Sequence, residues 1–133
     1  MQLSPYLMFN GTCEEALNFY EQTLGARIEN IMKHTGTPAE EHVPETWRDK
    51  VMHARFSIDG HVVMASDAPP GHQKETGGFS LSLGGIDAVK GEEIFNKLSE
   101  GGSVTMPFGP TFWAKGFGMC TDRFGIPWMI NCE

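Results

Sequence analysis

The sequence predicts an α+β fold built as two successive modules, each running strand, helix and then three strands. Three observations lead there. Short strand-like runs surround two segments whose apolar residues recur at helical spacing. The second half repeats the element order of the first. Finally, Gly60-His61-Val62-Val63-Met64 and Gly125-Ile126-Pro127-Trp128-Met129 fall at the same place in their halves, each a glycine turn leading into an apolar strand. Module one is expected over about residues 1–68, a linker over 69–77 and module two over 78–133.

Leu3 to Phe9 reads as a short strand, with Pro5 tolerable near its start. Asn10-Gly11 turns the chain. Thr12-Cys13-Glu14-Glu15 has the form of a capping box, in which two side chains satisfy each other's backbone donors. Cys13, Ala16, Leu17, Tyr20 and Leu24 then follow at helical spacing up to Gly25, a residue suited to ending a helix. Ala26 to His34 is a second strand, and Gly36 to Asp49, with Pro38, Pro44 and four acidic residues, a polar loop. Pro69-Pro70-Gly71 through Gly77-Gly78 is the most linker-like stretch.

In the second half, Phe79 to Leu83 alternates as a strand and Asp87 is placed to cap a helix. That helix has an inner face of Ala88, Gly91, Ile94, Phe95 and Leu98 and is expected to end at Gly101-Gly102. Val104 to Phe108, Lys115 to Thr121 and Ile126 to Cys132 are the remaining strands.

Val51 to Ile58 and His61 to Ser66 flank Asp59-Gly60, a dipeptide suited to the φ > 0 positions of a two-residue hairpin turn. Such a turn sets Ile58 opposite His61, Arg55 opposite Met64 and His53 opposite Ser66. Opposite residues share a face and faces alternate along a strand. One face is then His53, Arg55, Ser57, Val62, Met64 and Ser66. The other is Met52, Ala54, Phe56, Ile58, Val63 and Ala65, a core face.

Bulk properties exclude several partners. A length of 133 residues suits one domain, and 40% hydrophobic with 20% charged residues is an ordinary globular composition. A net charge of −7 repels a phosphate backbone and an anionic membrane surface, so neither nucleic acid nor membrane is an expected partner. Cys13, Cys120 and Cys132 form no C-x-x-C pair, and the start of the chain lacks the pattern of a secretory signal. A soluble protein with reduced thiols, in the cytoplasm, is expected.

Ala16-Leu17-Asn18-Phe19-Tyr20 with Leu24-Gly25 resembles the end of the first helix in the vicinal oxygen chelate superfamily, which includes glyoxalase I, bleomycin resistance proteins and extradiol dioxygenases. Ser4-Pro5-Tyr6, Thr111-Phe112-Trp113-Ala114, Gly116-Phe117-Gly118 and the run from Thr121 to Asn131 resemble its PhnB-like branch. The resemblance implies a curled mixed sheet around a cavity, with the helices on its outer side. It also implies a homodimer, the pattern of many two-module members.

The same resemblance locates four metal-ligand positions used by family enzymes. They fall on Ser4 or Pro5, Met64, Gly78 or Ser80, and Met129. None supplies the imidazole or carboxylate that a borderline or hard dication needs, so no metal and no cofactor is expected. Among five histidines only His53 lies on the face assigned to the cavity. Tyr6 and Trp113 are the aromatic pocket candidates, whereas Trp128 alternates with Met129 and is expected to pack on the helices. Cys120 lies within a strand with no histidine placed beside it and is read as inert. A methyltransferase, a name carried by some sequences of this kind, would need a glycine-rich loop after a first parallel strand; Gly77-Gly78 and Gly84-Gly85 are isolated turn glycines.

The function expected from these residues is metal-independent binding of a small molecule by Tyr6, His53, Arg55, Met64, Ser66, Trp113 and Met129. The alternative is a lyase, isomerase or transferase with His53 as acid or base and Arg55 as anion anchor, or with a non-standard metal site in the same cavity.

Overall fold

Asp59 and Gly60 take φ of 50° and 83°, the left-handed pair that a two-residue hairpin turn requires. The computed structural model, which describes residues 1–133, pairs Ile58 with His61 and Arg55 with Met64 across this turn. The strands so joined are β3, Val51–Ile58, and β4, His61–Asp67. Preceding them are β1, Tyr6–Phe9, the helix α1, Cys13–Leu24, and β2, Arg27–Lys33. The four strands form one sheet in the order β1-β4-β3-β2, with β1 parallel to β4 and the other pairs antiparallel. These elements belong to the first of two units, Met1–Lys74, and the second is Glu75–Glu133.

In the first unit α1 lies against one face of the sheet. Ala16, Leu17 and Tyr20 are fully buried with Leu7, Phe9, Ala54, Phe56 and Ala65, which alternation places on that face. The Tyr20 and Phe56 rings stack at 6.0 Å. Each large apolar side chain so buried contributes roughly 1.5–3 kcal/mol. At the helix end Gly25 adopts φ 67° and donates its N–H to the Glu21 carbonyl, while the Ala26 N–H donates to the Tyr20 carbonyl.

The start of α1 departs from the capping box. Thr12 makes no side-chain capping bond. Instead Asp67, at the far end of β4 and 3% exposed, accepts the N–H groups of Gly11 and Cys13 on Oδ1 at 2.9 Å. Its Oδ2 accepts the Val51 N–H at 2.9 Å. An ionised carboxylate is a stronger acceptor than a hydroxyl, so the distant group displaces the local one.

The polar loop is more ordered than its composition suggests. It contains two short 3-10 helices, Pro38–His42 and Glu45–Trp47. Buried His34 donates Nδ1–H to the Lys50 carbonyl at 3.0 Å, and Lys50 Nζ donates to the Gly11 carbonyl at 2.9 Å. The loop is thereby tied to the start of α1.

The second unit repeats the plan with β5, Leu81–Leu83, α2, Ala88–Ser99, β6, Ser103–Gly109, β7, Gly116–Thr121, and β8, Pro127–Cys132. Its order is β5-β8-β7-β6, with β5 parallel to β8. Asp87 caps α2 by accepting the Lys90 N–H at 2.9 Å. The helix ends at Ser99, ahead of the expected glycines. Close packing explains the glycines of this unit. A Cβ on Gly91 would meet Cys132 Sγ, and one on Gly118 would lie 2.8 Å from the Phe95 ring, so helix and sheet approach too closely for a side chain at either position. Trp128 is buried as expected, and its Nε1–H donates to Asp122 Oδ2 at 2.9 Å. No helix of the chain is long and apolar enough to cross a membrane.

Removing Asp67 leaves three backbone donors, two of them in buried hydrogen bonds, without their acceptor. Asp67→Ala is expected to lower unfolding free energy by about 3 kcal/mol or more in urea titrations, because bonds to a charged acceptor are worth roughly 1.5–3 kcal/mol each. Exposed Asp49→Ala should stay within about 0.5 kcal/mol of wild type. Equal effects of the two substitutions would refute the anchoring role of Asp67.

Candidate functional site

On the face of the first sheet turned away from α1, two rows of side chains run across the strands. In one, Tyr6 pairs with Met64 and Met64 with Arg55. In the other, Met8 pairs with Ser66, and His53 pairs with Met32. Strand alternation from the Ala54–Ala65 pair places Ser66 beside His53. Tyr6, His53, Arg55, Met64 and Ser66 therefore share one face. Ser66 is 8% exposed, whereas Tyr6 is 41%, Met8 61% and Met32 41% exposed.

Tyr6 stands on β1 and His53 on β3, with β4 between them. The tyrosine side chain spans that strand and brings its hydroxyl to 3.1 Å from His53 Nδ1, with the ring centroids 5.8 Å apart. Arg55 donates Nε–H to Glu29 Oε2 at 2.9 Å. The ion pair is partly exposed, 42% and 36% by side chain, so solvent limits it to about 1 kcal/mol or less. Its effect on charge is larger than its effect on stability: the guanidinium already has an anionic partner. Glu29 was not identified from the sequence. It sits where the register of β2 shifts between Ile28 and Asn30, and such a bulge breaks the alternation used to assign faces.

The second sheet carries a different surface. Ser82 pairs with Met129, Met129 with Met119 and Met119 with Met106, so three thioethers cross adjacent strands. Trp113 precedes β7, in a turn where Thr111 Oγ1 accepts the N–H of Ala114 at 3.0 Å. Its indole donates to Asn131 Oδ1 at 3.2 Å and packs edge-on to Phe117 at 5.3 Å. Asn131 and Phe117 are cross-strand partners. Trp113 and Met129, both singled out in the sequence, are joined here by Asn131, Phe117 and Met119. An open hollow beside Trp113 is lined by Thr111, Phe112, Ala114, Lys115 and Glu133.

The metal positions implied by the family can be tested against these rows. The neighbours of Met64 are Tyr6 and Arg55 and those of Met129 are Ser82 and Met119; Ser4, Pro5, Gly78 and Ser80 lie outside the paired strands. Thioethers, a phenol and a hydroxyl are poor ligands for a hard or borderline dication, and they bring no negative charge to compensate it. No three His, Cys, Asp or Glu side chains come together elsewhere in the chain. The residues present do not fit that ion.

The three cysteines are free and buried. Burial, reinforced by the negative charges of Asp67 and Glu14, holds the Cys13 thiol well above its ordinary range. Burial also raises Cys120, with a Ser99 hydrogen bond opposing and Asp122 adding to it, and burial with Asp87 raises Cys132. A thiol nucleophile is excluded by both access and ionisation.

Residues 1–131 match the model of the family described as 3-demethylubiquinone-9 3-methyltransferase. Protein YjdN of Escherichia coli (strain K12) is 37% identical over 139 aligned positions, which cover 98% of this chain and 95% of that protein. Among solved structures, protein PA1353 from Pseudomonas aeruginosa is 47% identical with a TM-score of 0.89, covering 100% of this chain and 98% of that one. The PhnB protein from Bacillus cereus is 26% identical with a TM-score of 0.85 and full coverage of both chains, 100% each. At the level of fold alone, a glyoxylase/bleomycin resistance protein/dioxygenase domain from Frankia sp. EAN1pec matches at 12% identity and a TM-score of 0.66, over 99% of this chain and 90% of that one.

Thiol reagents at about pH 8 are expected to leave the native chain unmodified and to label all three cysteines once it is unfolded. The raised thiols also set a direction for stability. Unfolded thiols ionise near their ordinary value of 9.0, while the folded ones keep their protons to higher pH. Stability is therefore retained below about pH 9 and falls as pH rises beyond it. Rapid labelling of the native protein would contradict the burial.

Proposed function

The chain belongs to the family described as 3-demethylubiquinone-9 3-methyltransferase, a PhnB-like family, and has the fold of a glyoxylase/bleomycin resistance protein/dioxygenase domain; on that premise we propose that it is a metal-independent small-molecule binding protein. The observation that carries this reading is the face of the first sheet. There Tyr6 and His53 offer hydrogen-bonding groups among the thioethers of Met8, Met32 and Met64, with Ser66 buried beneath them. Methionines adapt to irregular apolar ligands, and a few convergent polar groups fix orientation. Arg55 is engaged by Glu29, which favours a neutral ligand over an anion. The second sheet has a surface of its own, on which Trp113 offers an aromatic contact and Met129 a soft apolar one.

The activity in the family's description is not what these residues favour. Two four-stranded mixed sheets differ from the doubly wound parallel sheet with a glycine-rich loop in which a nucleotide-type cofactor is held. A second reading, that the ligand is also turned over, is favoured by one observation, the contact between Tyr6 and His53.

We further take the protein to act as a cytoplasmic homodimer. Both sheets end in strands without a neighbour, β1 and β2 in one and β5 and β6 in the other, and open edges invite pairing or cover. Sedimentation across micromolar concentrations should report a dimer; monomer throughout would refute that assembly.

A thermal-shift screen of neutral, partly apolar compounds tests the binding reading. A hit at about a hundredfold above its Kd should stabilise the protein by roughly 3 kcal/mol, which is several degrees. The shift should persist in excess chelator and weaken by tenfold or more in apparent affinity in His53→Ala or Met64→Ala. Loss of binding on chelation would overturn the metal-independent reading, and indifference to both substitutions would move the site elsewhere.

A further inference from the structure

On the open face of the first sheet, Arg55 and Glu29 neutralise each other, and Tyr6 and His53 remain in contact with no charged partner. The hydroxyl lies 3.1 Å from Nδ1, and Nε2 makes no hydrogen bond within the protein. Resting on the binding reading above, we infer that this pair is a proton-transfer site that interconverts the keto and enol forms of a neutral carbonyl compound carrying a C–H beside its C=O group.

The proton count closes without a metal or a co-reactant. With its proton on Nδ1, the imidazole donates to the phenol oxygen, which leaves the phenol O–H free for the substrate's carbonyl oxygen. The lone pair on Nε2 takes the proton from the adjacent carbon. The C–H electron pair becomes the new C=C bond, and the carbonyl π pair forms the O–H bond with the phenol proton. Tyr6 recovers a proton from Nδ1. The pair ends in its other tautomer, with Nε2–H and with the phenol donating to Nδ1, and its net charge is unchanged. The reverse transfer, from Nε2 to carbon, resets it. Both tautomers are compatible with a 3.1 Å separation.

The surroundings select this chemistry over others. Acyl or group transfer needs a nucleophile, but the three thiols are buried and Ser66 is 8% exposed. An anionic substrate needs an unpaired cation, and Arg55 is taken. Keto–enol transfer needs only a donor at oxygen and a base at the neighbouring carbon. Met64 beside Tyr6 and Met32 beside His53 hold apolar surface next to those two groups, against which the apolar part of a neutral ketone can rest.

The test uses the full chain with phenylacetone, a neutral ketone with exchangeable CH₂ protons, in D₂O near neutral pH. Proton NMR follows loss of the CH₂ signal, and saturation transfer reports binding separately. Exchange should exceed that of free imidazole at equal concentration by about a hundredfold, the usual range of positioned acid–base catalysis. Tyr6→Phe and His53→Gln should each return exchange to background even at ketone concentrations raised until saturation transfer shows it bound. Wild-type exchange at background with the ketone bound overturns the proton-transfer inference and leaves the binding reading standing. Exchange that survives in Tyr6→Phe overturns it too, because the phenol supplies the proton at oxygen. Absence of ketone binding refutes the carbonyl class, whereas failure of the whole compound screen refutes the binding reading itself.

Discussion

The carboxylate of Asp67 joins three stretches of chain that the sequence keeps far apart. It closes β4, receives the N–H groups at the start of α1 and receives the first N–H of β3. Its residue is also the β4 partner of Phe9, so the same position fixes β1 in parallel register with β4. That register decides which β1 side chain meets His53. Slipping β1 by one residue would exchange Tyr6 for Leu7, turning the phenol into the core and a leucine toward His53. The hydrogen bond between Tyr6 and His53 thus depends on a buried carboxylate at the opposite end of the strand.

Much of this was legible beforehand for a physical reason. Asp59-Gly60 fixes the pairing of β3 with β4, and pairing fixes faces, so His53, Arg55, Met64 and Ser66 could be placed together from turn chemistry alone. Tyr6 joined them through the family motif, and its partner Met64 was identified by the repeat at Met129. Where side chains follow local periodicity, the sequence displays them.

The parts that were not legible involve contacts that periodicity does not encode. Thr12-x-x-Glu15 has the residues of a capping box, yet a carboxylate distant in sequence takes its role. Glu29 turns toward Arg55 at a bulge, where alternation fails. Met106 reaches Met119 between two register shifts in β6, so the thioether row is invisible in its own strand pattern. The loop from Gly36 to Asp49 gains its order from His34 and Lys50, whose partners are backbone carbonyls. In each case a long-range partner overrides the local signal.

The two units show how one backbone plan carries different surfaces. Met64 and Met129 occupy matching positions, each on a strand flanked by a parallel and an antiparallel neighbour. Around Met64 the neighbours are Tyr6 and Arg55; around Met129 they are Ser82 and Met119. The first unit therefore holds hydrogen-bonding and titratable groups, and the second holds thioethers with Trp113 at their margin. Thioethers at the two equivalent positions relieve the sheets of any need to neutralise a buried ion. Beside the methionine of the first unit stand a phenol and an imidazole already in contact, whereas the second unit offers no such pair next to its own.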